Sequence, residues 1–546
     1  MSSVLPPRAQ RAFPVRYAAF GDLDALPPLA PGPLYRYVIG LDAAPRPLEA
    51  PEVERDLRDP FATAVLRRGQ RPRTAREMLA AVDALDGGPE ALPVQRSYVV
   101  GDGSQIPWTP DTGALDRRLR FAIVRGAHEA DASILVSTGT DLDSEDAFLQ
   151  VLSWDPANAV YNFYHRRRPA WLWAGSSLHA LDAPTRGRGP FDSHVNGGLV
   201  MKELKPPWIH WHSMRATVDA ALGPGDALRA EPVFAGRSGA ERFQIAVVEP
   251  GIRRWNRARL ARSRAPDGRV TGLRQLARQV LETTTVNLIS SEAESDLVED
   301  GDALALPLTF FVGSDALIDR LGLEPEIARP SVPGAFYRAS LARFGFALTD
   351  GAGFRRPGDT FFAFLVPEPA FEDVDVLSLL LEAEVLSRRL ATCLLMVDFP
   401  NPIYSGRRAR LLAHVPDETR AGAGGAALDA AVIGAVEAAA GADGSSTAPA
   451  SPERELLALW GQSGAPGWEG AFARRIERYF AALAERLATE EGFLDVTRLA
   501  ESRRRRFRRL PLAEFSLTVP VTSIDPDAPE LEMGEDATVR RKQEDA

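Results

Sequence analysis

Apolar and polar side chains alternate in short runs along the second hundred residues, whereas later segments repeat their apolar positions at helical spacing. Ser97–Val100, Leu119–Val124 and Ile134–Ser137 are short and rich in branched or aromatic residues, as strands are. FLQVLSW (148–154), VYNFYH (160–165) and AWLWA (170–174) follow, separated by Asp-Pro, Asn and Pro punctuation, and predict an antiparallel meander. The period of two puts Tyr161, Phe163 and His165 on one side of their strand and Val160, Asn162 and Tyr164 on the other. One face is expected to be core, and the other is available to line a site.

Helices are expected at 75–85, from Pro250 onward with Ile252, Trp255 and Leu260 inward, and over TGLRQLARQVL behind a Thr271 cap. A longer helix is read from about Val374 to Leu395. Phe472, Ile476, Phe480, Leu483 and Leu487 form one stripe of another. The expected fold class is therefore α+β, an antiparallel β-rich central region with flanking helical regions in a multi-domain chain.

The boundaries drawn are a proline-rich N-terminal region at 1–96, a β-rich domain at 97–215 and a mixed region at 216–420. An Ala/Gly-rich linker or insertion follows at 421–452, though a helix within it stays open. A helical region at 453–522 and an acidic tail at 523–546, expected to be disordered, complete the chain. A length of 546 residues suits two or three domains, and 45% hydrophobic with 25% charged residues is a globular composition.

A net charge of −10 does not draw the whole molecule to nucleic acid or an anionic membrane. Apolar runs such as 303–312 and 361–366 fall short of the about 20 residues that a transmembrane helix needs. The opening MSSVLPPRAQRAFPV lacks an export signal, so a cytoplasmic location is expected. The one cysteine, Cys393, cannot form an internal disulfide, a CxxC pair or a multi-cysteine metal site.

Known chemical motifs are mostly missing. No lysine follows a glycine, which excludes a P-loop; GDGSQI at 101 lacks the third glycine of a dinucleotide fingerprint; and neither GxSxG nor HExxH occurs. Asp141, Asp143, Glu145 and Asp146 alternate like a calcium loop without its glycine and late glutamate, so a solvated loop is expected. The arginines at 503–506, with Arg508 and Arg509, read as a solvated helix face.

What remains is a concentration of scarce side chains. Five of the seven histidines and five of the nine tryptophans fall between Trp154 and His212, together with Lys202 and Lys205, two of only three lysines. After Pro206-Pro207 an extended strand would turn His210 and His212 the same way, close enough to share a metal. His194 and a carboxylate, Asp192 or Glu203, could complete a 2-His-1-carboxylate site for iron, copper or zinc. Without a metal, Lys202 could act as base or nucleophile with Glu203 or His194 carrying the proton, and Arg166–Arg168 with aromatic walls would suit an anionic small molecule. The same residues could equally be core histidines and tryptophans. The sequence thus predicts an enzyme acting on a small molecule, possibly a metal-dependent oxidoreductase, against a non-catalytic ligand-binding or scaffold protein.

Overall fold

The computed structural model describes residues 26–85, 91–101, 119–128, 131–199, 222, 225–349, 353–442, 451–509 and 519–542. Its largest feature is one eight-stranded sheet. The strands are β1 (Leu34–Arg36), β2 (Arg46–Pro47), β3 (Val94–Gly101), β4 (Leu119–Gly126), β5 (Ile134–Gly139), β6 (Leu149–Asp155), β7 (Val160–Arg167) and β8 (Ala170–Ser176), ordered β2-β1-β8-β7-β6-β5-β4-β3. From β3 to β8 it is the antiparallel meander the alternation predicts, and from β4 onward each connection is too short for a crossover.

The sheet as a whole is not purely antiparallel. Strand β1, from the proline-rich region, lies parallel to β8 with Tyr35 opposite Leu172, so the fold is mixed α/β with a mixed sheet. Short-range alternation predicts neighbours in sequence and is blind to a strand delivered from more than a hundred residues away.

Neither face of β7 is open. Tyr164 and Asn162 point toward Asp59 and Phe61, with ring centroids of Phe61 5.0 Å from both Tyr164 and Trp171. Helix α1 (Ala75–Asp83), capped by Thr74, packs on the same side. Tyr161 and Phe163 face the other way, toward Gly251, Phe191 and His194. Trp171 and Trp173 are core with satisfied N–H groups: Trp171 Nε1 donates to Pro72 O and Trp173 Nε1 to Asn162 Oδ1, each at 3.0 Å.

A second core begins within helix α2 (Glu249–Ser263), which sends Trp255 into the sheet's core and Leu260 into the next. There α3 (Leu273–Leu281) leads to β9 (Val286–Ile289), paired antiparallel with β10 (Val366–Pro369), which feeds α4 (Phe371–Glu382). The cap of α3 is Gly272, at φ 65°, rather than Thr271. The single helix expected over 374–395 is two, α4 and α5 (Arg388–Met396); Glu384, at φ 53°, turns the chain between them and Ser387 caps the second.

Two further segments, 421–452 and the acidic tail, reach the second core over their described residues. Within 421–452, helix α6 (Ala426–Ala442) buries Leu428, Val432, Ile433 and Val436 in the second core. A few large side chains at helical spacing are enough to dock an otherwise alanine face. By length and composition alone Ala423–Gly441 would also reach across a bilayer.

The acidic tail is folded over residues 523–542. Beyond α7 (Trp468–Leu487) and α8 (Glu490–Arg508), strands β11 (Leu531–Met533) and β12 (Val539–Arg541) form a hairpin that buries Met533 and Ala537. Asn401 exchanges hydrogen bonds with the Met533 backbone, and the tail's carboxylates meet arginines, Glu530 with Arg506 and Glu535 with Arg475.

That pairing also overturns the solvated reading of the arginine run. Arg503, Arg504 and Arg505 are buried, Arg505 donating to the carbonyls of Asp525 and Ala528 while Arg504 lies 3.2 Å from Glu501. The carboxylates of the calcium-like loop are likewise spent on arginine, Asp143 on Arg76, Glu145 on Arg73 and Asp146 on Arg168.

Candidate functional site

Of the residues singled out in the sequence, Asp192 and His194 are described; Lys202, Glu203, His210 and His212 lie outside the described residues, as do Lys205, Trp208 and Trp211. Asp192 ends a short 3-10 turn and is buried. Two residues on, the His194 ring stands edge-on to Phe163 with Nδ1 2.9 Å from Gly198 O, which fixes the proton on that nitrogen. Burial pushes His194 down to about 4 and, with the charges of Arg166 and Arg167 adding to it, pushes His165 down to about 4 as well. Both rings are neutral at pH 7. Among the described residues no three His, Cys, Asp or Glu side chains gather as a metal would require.

Other reactive groups are occupied. Ser176 Oγ lies 3.1 Å from His179 Nδ1, but that nitrogen already accepts Ser176 N–H at 3.0 Å, so the pair caps a turn. Burial pushes the Cys393 thiol up to about 11, far from a nucleophilic thiolate at neutral pH.

The chemically unusual place is where the two cores meet. The turn from His194 to Gly198 presses on α2 and on the start of α4: Trp255 Nε1 donates to Asn196 O at 2.7 Å, and Asn196 Nδ2 donates to Thr284 Oγ1 at 3.0 Å. Thr284 passes the chain on to Asp373 Oδ1 at 2.8 Å, which also accepts Gln279 Nε2 at 3.2 Å. Gln279 is held in turn by Arg259 of α2. Asn256 donates to Asp375 at 2.7 Å, a second polar tie between α2 and α4.

Two adjacent carboxyls, Glu372 and Asp373, therefore stand in the first turn of α4. Burial pushes Glu372 up to about 7, against the opposing pull of Asn196 and Arg259. Burial and then the neighbouring Glu372 charge hold Asp373 well above the usual carboxylate range. The helix N-terminus favours carboxylates by about 0.3–1 kcal/mol, too little to offset desolvation of two like charges side by side. Among the described residues Glu372 Oε1 has no hydrogen-bond partner, and it lies so near Gly198 that a Cβ there would come within 3.4 Å. The two titrate as a pair that holds a proton at neutral pH.

Asp373 also lines a cleft of about 60 Å³. Its polar end holds Asp373, Gln279, Thr283 and Arg408; Val280, Leu317, Leu377, Phe399 and Ile403 supply apolar walls. Arg408 is buried and donates to Asn401 O and Pro402 O, at 3.1 and 2.8 Å. A proton-carrying carboxyl, a guanidinium and apolar walls in one concavity can hold a small molecule and exchange a proton with it.

Sequence reading missed this site, although a signal was present. In PAFEDVDVLSLLLE, Glu372 occupies the same stripe as Val376 and Leu380, all three buried, so a carboxylate stands where the period demands an apolar side chain. No family model, curated protein or solved structure matches the chain, so the case for this site rests on the geometry alone.

Proposed function

We propose that this protein is an enzyme acting on a small molecule by acid–base chemistry in the cleft beside Asp373, with Glu372 and Asp373 sharing the working proton. The observation that carries the reading is the pair of adjacent carboxyls at the meeting of two cores, Glu372 buried and Asp373 half-buried and lining a cleft. A protein that needed only stability gains nothing from burying two like charges, since an apolar pair of similar volume would cost less. Asp373 is the group that would meet a ligand, and Glu372 behind it holds the pair's proton near neutral pH.

The test is turnover by the full chain against a panel of small esters, amides, ketones and alcohols in D2O, followed by NMR. Reaction or C–H exchange that disappears in Asp373→Asn and shifts its pH dependence in Glu372→Gln is the expected result. Turnover unchanged in both variants overturns the assignment.

A second reading is favoured by one observation: side chains of α2, α3 and α4 interlock through Asn256, Gln279, Thr284 and Asp375. In that case the network is a clasp in a non-catalytic binding or scaffold protein. The metal-dependent oxidoreductase expected from the histidines depends on His210 and His212, and the metal content of purified protein is the measurement that bears on it.

A further inference from the structure

The cleft beside Asp373 has a definite polarity. Its lining carries three side chains that can be charged: Glu282, Arg408 and Asp373. Glu282 is neutralised by Arg278 at 2.6 Å, in a half-exposed pair on one turn of helix. Arg408 is 5% exposed, and its two described side-chain hydrogen bonds go to neutral carbonyls, which fix the guanidinium without cancelling its charge. Asp398, also pushed toward its neutral form by burial, is the nearest counter-charge named for it.

Asp373 Oδ1 accepts the side chains of Gln279 and Thr284, and the Thr284 backbone N–H also bonds this carboxyl. Burial and the Glu372 charge favour its protonated form, which donates one O–H. Thr283 accepts the Tyr404 N–H at 2.6 Å, so its hydroxyl is oriented with the hydrogen as its remaining function. The cleft's polar lining therefore offers two O–H donors, Asp373 and Thr283, and also holds the Arg408 guanidinium. The rest is a short apolar sleeve of Val280, Ala316, Leu317, Leu377 and Leu395.

We infer that this cleft binds a small aliphatic molecule headed by a carbonyl or carboxylate oxygen, which accepts hydrogen bonds from Asp373 and Thr283 while its short chain lies in the sleeve. This rests on the reading of the Asp373 cleft as the working site and names the ligand it takes. A cationic head is disfavoured because it would share this lining with the buried Arg408 guanidinium. The cleft's volume of about 60 Å³ takes the head and the first methylenes of such a chain.

Three four-carbon probes differing only in the head test this: butanamide, butanoate and n-butylammonium, each titrated into the full chain at pH 7 and followed by saturation-transfer NMR and melting temperature. Butanamide and butanoate are expected to bind with dissociation constants around the millimolar range that a six-heavy-atom fragment allows, and butylammonium about tenfold or more weaker. Preference for butanoate over butanamide would assign the head to a carboxylate, and the reverse to a neutral carbonyl. Ala316→Phe, which fills the sleeve from a half-buried position, should abolish binding of both; Val280→Phe, from a different helix, serves if that variant does not fold.

Tighter binding of butylammonium, absence of binding by all three probes, or equal binding to both sleeve variants and wild type overturns the inference. The acid–base reading fails on a different result, turnover indifferent to Asp373→Asn. Turnover confined to compounds without a carbonyl would sink the ligand class and leave that reading standing.

Discussion

Asp59 under the sheet and Glu372 between the two cores are both carboxyls taken out of water, and burial raises both above their ordinary range. Their surroundings differ. Asp59 accepts Tyr164 O–H at 2.6 Å, Asn162 Nδ2 at 2.9 Å and Ala62 N–H at 3.0 Å, so each oxygen has a donor and the group knits β7 to the chain before α1. Glu372 has one oxygen without a hydrogen bond, an acid as its immediate neighbour in sequence and a cleft beside that neighbour. A buried acid saturated with donors is structure. One left short of donors is held away from its most stable arrangement, and that is where chemistry is worth seeking.

Substitutions can break or sharpen that contrast. The largest effect is expected at Asp59: Asp59→Ala strands the Tyr164 hydroxyl, the Asn162 amide and a backbone N–H, each costing about 1–3 kcal/mol when buried and unpaired. Its melting temperature should drop steeply, and a near-wild-type melt would remove the basis for calling Asp59 structural.

Glu372→Gln should act in the opposite direction and depend on pH. The folded group titrates near 7 and the free group near 4.5, so its stabilising protonation is complete below pH 4.5 and is lost as pH rises through 7. Relative to wild type the variant should be unchanged at pH 4.5 or below and more stable at pH 8, by on the order of 3 kcal/mol at most. Chemical denaturation at the two pH values reads this directly.

His194→Phe is expected to be milder. It gives up one hydrogen bond to Gly198 O, about 1 kcal/mol at neutral pH. The ring's folded value near 4 lies below the ordinary 6.5, so wild-type stability from this group is present above pH 6.5 and lost as pH falls toward 4. The variant should lose less than wild type over that window. At the bottom of the scale, Asp143→Asn removes an exposed ion pair with Arg76 and should leave the melting temperature unchanged within error.

The sheet was legible because β3–β8 are sequential and alternate cleanly, and the stripe of α7 because its apolar side chains repeat at helical spacing. The parallel strand β1 and the docked tail were not, since each depends on a partner far along the chain, β8 and Arg505 with Asn401; nor was the break at Glu384, since a glutamate does not announce a positive φ. Counting rare side chains led to His194 and Asp192, which the fold puts in a packed turn. It passed over Glu372 and Asp373 because glutamate and aspartate are common and only their place on a buried stripe makes them unusual.

The central claim is that the carboxyl pair at the start of α4 holds a proton at neutral pH. Isotope-edited infrared or carbon-13 NMR of the carboxyl groups, titrated from pH 4 to 9 in wild type and Glu372→Gln, measures it. The account predicts one carboxyl titrating near 7 that vanishes in the variant, and a second raised above the ordinary carboxylate range. A wild-type protein in which no carboxyl from this pair titrates above about 5.5 would contradict it.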